Sequence, residues 1–297
     1  MPTVDLPLGP VEVDVFGPDT ADTPTAVFVH GFLVSGTLWH QVAKRLAESG
    51  IRSVVPAWPL GAHRLPVPAE SVLSPATVGQ AVLDLLDALD LHDVVLVGND
   101  TGGAICQLAL AGDRRRIGAL VLTNCDAFET FPPTFFLPLF VLARFRPAVW
   151  LVAQTTRLRA LRHSPLAFGP LLRRPRPASL TRAWMQPAIE KREIRRDITR
   201  FARGIRRTEL VDSARWLGTF DRPTRVVWGL RDRHFTPALG RRLAAAIPTA
   251  QVVEVPEATT FVSIDRPDPV ADAIRAVLAE ARGAMPSGPA ASDAVAP

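Results

Sequence analysis

Between residues 93 and 112 the chain reads DVVLVGNDTGGAICQLALAG: an aliphatic run, a turn of small residues around an acid, then a helical pattern. Few folds tolerate this. A strand that turns into a helix at a single residue needs neighbours without bulk two positions to either side, and Gly98 and Gly102 supply them around Asp100. The free N–H groups and positive end of the following helix then point at whatever the turn residue carries. A turn built only for shape would also accept Asn-Asp-Thr-Gly. The strand before and the helix after favour a chemical role for Asp100.

The same alternation runs through both ends of the chain. VEVDVF (11–16) has the period-two pattern of an edge strand, and TAVFVHG (25–31) reads as a short buried strand. A helix is expected over 38–50, a strand over 52–58, and an amphipathic helix over 74–91 with Ser74 as N-cap and Pro75 at its first position. IGALVLTNCD (117–126) is a further buried strand. Alternation resumes with a strand at 224–232, a helix at 238–248, a strand at 250–257 and a helix at 268–283. Between these blocks, residues 127–220 contain prolines and helical patches such as 188–205, without a clear strand. The expected architecture is α/β: a mostly parallel sheet with helices on both faces, its core formed by 1–126 and 221–283. Residues 127–220 form an inserted helical cap, and 284–297, small and polar with prolines, form a disordered tail.

Composition excludes several classes. No stretch reaches the ~18 apolar residues of a membrane span, and the first residues lack the basic start and apolar core of a signal peptide. A cytoplasmic chain without membrane insertion is expected. Cys106 and Cys125 have neither disulfide-framework nor metal-ligand spacing and read as small buried residues. The net charge of +5 comes from arginine, with fourteen arginines between Arg157 and Arg207. That run lacks aromatic interleaving and any nucleic-acid motif, so it reads as a solvated helical surface, with no nucleic-acid partner. GNDTGGA lacks the spacing of a dinucleotide or phosphate loop; no cofactor and no metal are expected.

A second element agrees with the turn at Asp100. VHGF ends an earlier buried strand, where the N–H of Phe32, with that of Thr101, would form an oxyanion hole. With HGF, the elbow GNDTG, WGLRD and RPDPVADAIRAVL in that order, the chain up to about Gly283 resembles the α/β-hydrolase superfamily. Aspartate at the elbow is similar to the haloalkane dehalogenase and epoxide hydrolase branch. There it attacks carbon to form an alkyl ester, which a histidine-activated water cleaves. The resemblance makes Asp232 of WGLRD the acid that orients the histidine.

The chain departs from that pattern at the histidine. The matching position in PEATTFVSIDRP is Thr260, and no histidine follows His234. His63, past a strand end in WPLGAHRLP, is the expected substitute base, ahead of His234; His30 and Trp184 are assigned to the substrate wall. The chain has no tyrosine to protonate an epoxide, and Thr101 and Phe32 stand where dehalogenases place halide-binding tryptophan and asparagine. The expectation is a hydrolase of a small hydrophobic ester, halide or related compound, acting as monomer or homodimer. Two alternatives stay open: a lyase, isomerase or cyclase using Asp100 as acid or base, and a ligand-binding protein with an incomplete triad.

Overall fold

A computed structural model describes residues 1–20, 23–173 and 177–283; the expected tail at 284–297 lies outside them. Eight strands form one sheet: β1 (Thr3–Leu6), β2 (Gly9–Phe16), β3 (Thr25–Val29), β4 (Arg52–Pro56), β5 (Val94–Asp100), β6 (Ile117–Cys125), β7 (Thr224–Gly229) and β8 (Ala250–Val255). Their spatial order is β1-β2-β4-β3-β5-β6-β7-β8. The β1–β2 and β2–β4 pairs are antiparallel, and every other pair is parallel.

Burial follows the sequence pattern. β3, β6 and β7 are buried along their whole length and carry continuous apolar runs, as central parallel strands covered on both faces must. β2 alternates over most of its length. β1 was not anticipated; it is four residues long and pairs with β2 across a tight turn.

Six helices belong to the sheet layers: α1 (His40–Ala47), α2 (Pro75–Ala88), α3 (Thr101–Ala109), α10 (Pro237–Ala245), α11 (Val262–Asp265) and α12 (Pro267–Gly283). α1 packs on α12 and α2 packs on α3. Ser74 caps α2 as read, its hydroxyl accepting from Thr77 N–H while the Thr77 hydroxyl accepts from Ser74 N–H.

Between β6 and β7 the chain is helical: α4 (Leu137–Ala143), α5 (Arg146–Thr155), α6 (Arg159–Arg162), α7 (Ala178–Glu190), α8 (Arg192–Gly204) and α9 (Glu209–Leu217), with short 3₁₀ turns before α4. The helix expected over 188–205 is broken at Lys191, whose extended backbone (φ −100°, ψ 123°) separates α7 from α8. The arginine-rich surface also has an exception. Arg162 is 3% exposed, and its guanidinium donates to the carbonyls of Thr156 (2.6 Å) and Ala178 (3.2 Å) and to Thr181 Oγ1 (3.1 Å). It thereby satisfies a carbonyl at the C-terminal end of α5 and ties α6 to α7.

Candidate active site

β5 delivers Asp100 to the C-terminal edge of the sheet and α3 starts at the next residue. Asp100 has φ +55° and ψ −132°, a conformation that bulky residues rarely adopt. The turn is kept by close packing: a Cβ on Gly102 would lie 2.3 Å from the Val29 carbonyl oxygen. The loop after β3 approaches from the other side, where a Cβ on Gly31 would lie 2.7 Å from Asp100 Cβ and 3.0 Å from its Oδ2.

The two carboxyl oxygens differ. Oδ1 accepts from Thr101 N–H (2.5 Å) and from the Thr101 hydroxyl (3.0 Å). Oδ2 takes no hydrogen bond among the described residues and faces Gly31. Asp100 forms part of the wall of an apolar cavity of about 700 Å³, open mouth included, with Phe32, Phe136, Phe140, Phe168, Met185 and Phe235 among its lining. Of the described residues that line it, Asp100 alone is ionisable. Burial pushes this carboxyl up to about 6, against the Thr101 hydrogen bonds and with the help of the nearby Asp232 charge.

Asp232 lies behind this site in the loop after β7 and is buried. Its Oδ1 accepts from the N–H groups of His234 (2.8 Å) and Phe235 (3.1 Å). Its Oδ2 accepts from Asn124 Nδ2 (3.0 Å) and from the Thr260 hydroxyl (2.8 Å). Where the resemblance expects an imidazole against this acid, a threonine hydroxyl makes the contact. Burial raises the Asp232 carboxyl above its ordinary value, with the hydrogen bonds from His234, Thr260 and Phe235 opposing it in part. Asn99 ties the elbow to the segment after β8 by donating from Nδ2 to the Thr260 carbonyl (2.8 Å).

Asp126 was not singled out from sequence. It follows β6, whose Cys125 is in register with Asp100, and it is fully buried. Neither carboxyl oxygen has a hydrogen-bond partner among the described residues. Burial, then the Asp100 charge, holds it well above the usual carboxylate range. The sequence signal was an acid directly after the strand Ile117–Cys125, whose first six residues carry no polar side chain, beside the elbow strand.

The other assigned residues sit elsewhere. His63 does not line the Asp100 cavity: its Nδ1 accepts from Gly61 N–H (3.2 Å) and its Nε2 faces Asp197 Oδ2 (3.4 Å) on α8. With both nitrogens engaged it is a strut between the loop after β4 and α8, and the substitute-base assignment is withdrawn. His30 is not a wall residue either. It donates from Nδ1 to the Gly31 carbonyl (3.0 Å) and accepts at Nε2 from Trp58 N–H (3.0 Å), so burial lowers it to about 4 and it stays neutral. Trp184 stands one layer behind the wall, edge-on to Phe168 (5.4 Å) and Phe261 (5.6 Å), with its Nε1 donating to Thr37 Oγ1 (2.7 Å). The His234 ring packs against Phe135 (4.6 Å) and Phe136 (4.8 Å) and does not line the cavity.

Of the expected oxyanion donors, Thr101 N–H is occupied by Asp100 itself. Phe32 N–H has no acceptor among the described residues, while its ring stacks between Phe140 (5.0 Å) and Phe201 (5.5 Å).

Comparison with known proteins agrees with this geometry. The profile of the Alpha/beta hydrolase family matches residues 26–273. A 2-hydroxy-6-oxononadienedioate/2-hydroxy-6-oxononatrienedioate hydrolase of Cupriavidus pinatubonensis is 26% identical, over 82% of this chain and 83% of its own. Haloalkane dehalogenase 2 of Mycobacterium tuberculosis is 29% identical over 64% of this chain and 66% of its own. Among solved structures, a thermophilic esterase from Thermogutta terrifontis superposes with a TM-score of 0.71 at 21% identity, over 94% of this chain and 98% of its own. The chain belongs to the α/β-hydrolase family and is an enzyme of hydrolase type, related to the dehalogenase and epoxide hydrolase branch.

Proposed function

We propose that the chain hydrolyses a small, uncharged, apolar ester-class substrate, with Asp100 as general base. One observation carries this reading: Asp100 is the single ionisable side chain among the described residues lining an otherwise apolar cavity, and its Oδ2 is free. Apolar walls favour an apolar substrate and would penalise a charged one by desolvation.

Thr101 holds Oδ1 and fixes the carboxylate plane, so Oδ2 takes a proton from water as the water oxygen attacks the substrate carbonyl. Phe32 N–H donates to the oxyanion that forms. Protonated Asp100 then returns the proton to the departing alkoxide, giving acid and alcohol. A carboxyl near 6 suits both halves of this cycle at neutral pH: it is mostly ionised at rest, yet basic enough to accept a proton.

A second reading has Asp100 attack carbon directly. It is favoured by the anchored Oδ1 and by the dehalogenase relative. It leaves an alkyl ester on Asp100 that must be cleaved without an imidazole in the cavity, which is why the general-base reading ranks first.

Initial rates on uncharged short-chain esters test the proposal. Asp100→Asn is expected to lose about 10²–10⁴-fold in kcat, and His63→Gln to keep kcat within a few-fold. kcat/KM is expected to rise with pH through about 6 and level off above it. Full activity in Asp100→Asn would overturn the reading.

A further inference from the structure

The sixty residues from Thr130 to Ile189 contain nine arginines and no aspartate or glutamate. The same stretch holds nine of the fifteen large apolar side chains that are exposed among the described residues. The two sets interleave. Helix α5 opens at Arg146, after Arg144-Phe145, and is followed by Arg157-Leu158-Arg159, and Trp150 and Leu151 stand on its outer side. Phe145, Trp150, Leu151 and Leu158 are each more than half exposed, while Val149 and Ala153 of the same helix are buried inward.

None of Arg144, Arg146, Arg157 or Arg159 makes an ion pair with a carboxylate among the described residues. Arg146 also opens α5 at its positive end, where a cation opposes the helix dipole. The fold therefore carries unneutralised positive charge around unpaired apolar side chains, a surface that is costly in water alone.

We infer that the α4–α6 face docks on the surface of a bilayer containing anionic lipid, with α5 lying in the interface. Interfacial helices combine Trp, Phe and Leu on one side with arginines at headgroup level, and this face has that composition. Charge complementarity selects the occupant: a second copy packed symmetrically on this face would set arginine against arginine. No single helix among the described residues is long and apolar enough to cross a membrane, and the one bent pair with the length and composition to do so, Phe128–Ala143 with Arg146–Thr155, turns by 116° at its break. That bend, with arginines at both ends of α5, favours a contact that lies on the surface. The face also continues into the cavity that holds Asp100, because Leu166, 75% exposed, lines that cavity. An apolar compound dissolved in the bilayer would meet the cavity rim on docking. The docking inference stands on the surface alone and does not depend on the reaction proposed above.

Flotation of the full chain with vesicles of phosphatidylcholine alone, or with about 30 mol% phosphatidylglycerol, tests it. Binding is expected to be at least about tenfold tighter on the anionic vesicles and to weaken between about 50 and 500 mM salt. Replacing Arg144, Arg146, Arg157 and Arg159 together by Gln is expected to cost about fivefold per arginine, at least about a hundredfold in all. The pair Trp150→Ser and Leu151→Ser is expected to weaken binding by at least about tenfold. Because these side chains are exposed, circular dichroism should show the variants folded; the salt dependence of the unaltered chain tests the claim without any variant. Equal or absent binding on the two vesicle types would overturn the inference. So would polyglutamate binding as tight as vesicle binding and unaffected by Trp150→Ser. Self-association that requires these residues, without vesicle binding, would assign the face to a second copy instead.

Discussion

Replacing Asp100 by Asn should stabilise the fold at neutral pH while cutting turnover by about 10²–10⁴-fold. Asn keeps an oxygen for Thr101 N–H and fits the same turn, so the change removes mainly a charge that the cavity disfavours. The carboxyl moves from 3.8 in an ordinary setting to about 6 in the fold, which corresponds to about 3 kcal/mol at most, since water at the cavity mouth screens the charge. The folded chain holds this proton more tightly than the unfolded chain. The unaltered protein therefore loses stability as pH rises from about 4 to about 6 and stays at the lower level above. Asp100→Asn has no such loss, so the two proteins should match near pH 4 apart from the weaker Thr101 bond and diverge by up to about 3 kcal/mol above pH 6. For a chain of this size that is roughly 5 °C in Tm. Paired calorimetric scans at pH 4, 5, 6 and 7 would measure it. A Tm difference that stays constant across these pH values would refute the claim that the cavity perturbs Asp100.

Three further substitutions probe the supports of the site. Asp197→Ala should cost about 3–5 kcal/mol of stability, because buried Asp197 accepts from Val67 N–H (2.9 Å), Arg196 and Arg200 (3.1 Å each) and faces His63. Burial alone would raise the Asp197 carboxyl, but His63, Val67 N–H and Arg196 hold it below its ordinary value, so its contribution should fade only as pH falls below the usual aspartate range, visible as a late acid transition. Thr260→Val should lose about 1–3 kcal/mol by urea denaturation yet keep most activity, since Asp232 retains three of its donors. Gly31→Ala drives a methyl group into the Asp100 carboxyl and should cut kcat at least tenfold while costing about 1–3 kcal/mol.

The elbow was legible because its demands are local. A strand, two small flanking residues and a helix start can be read from one short stretch, and the positive φ of Asp100 follows from them. Thr260 was legible too, because its register is fixed by the strand before it and the helix after it, and it meets Asp232. His63 misled because strand-end logic places a residue near the sheet's edge without saying which way its loop folds; here Asp197, distant in sequence, faces the ring. Arg162 was read with its solvated neighbours, but the acceptors that surround it, the Thr156 and Ala178 carbonyls and the Thr181 hydroxyl, come from the end of α5 and the start of α7, which sequence does not juxtapose. Asp126 escaped notice for a related reason. An acid after a strand normally turns into solvent, and only the assembled sheet shows that this one is enclosed.

The central claim is that Asp100 takes a proton from the water that enters the product. Turnover of an ester in ¹⁸O-labelled water, followed by mass analysis of both the product and the peptide containing Asp100, tests it most directly. The account predicts label in the product acid and none in Asp100. Label in the Asp100 carboxyl would contradict it, as the mark of a covalent ester on that residue.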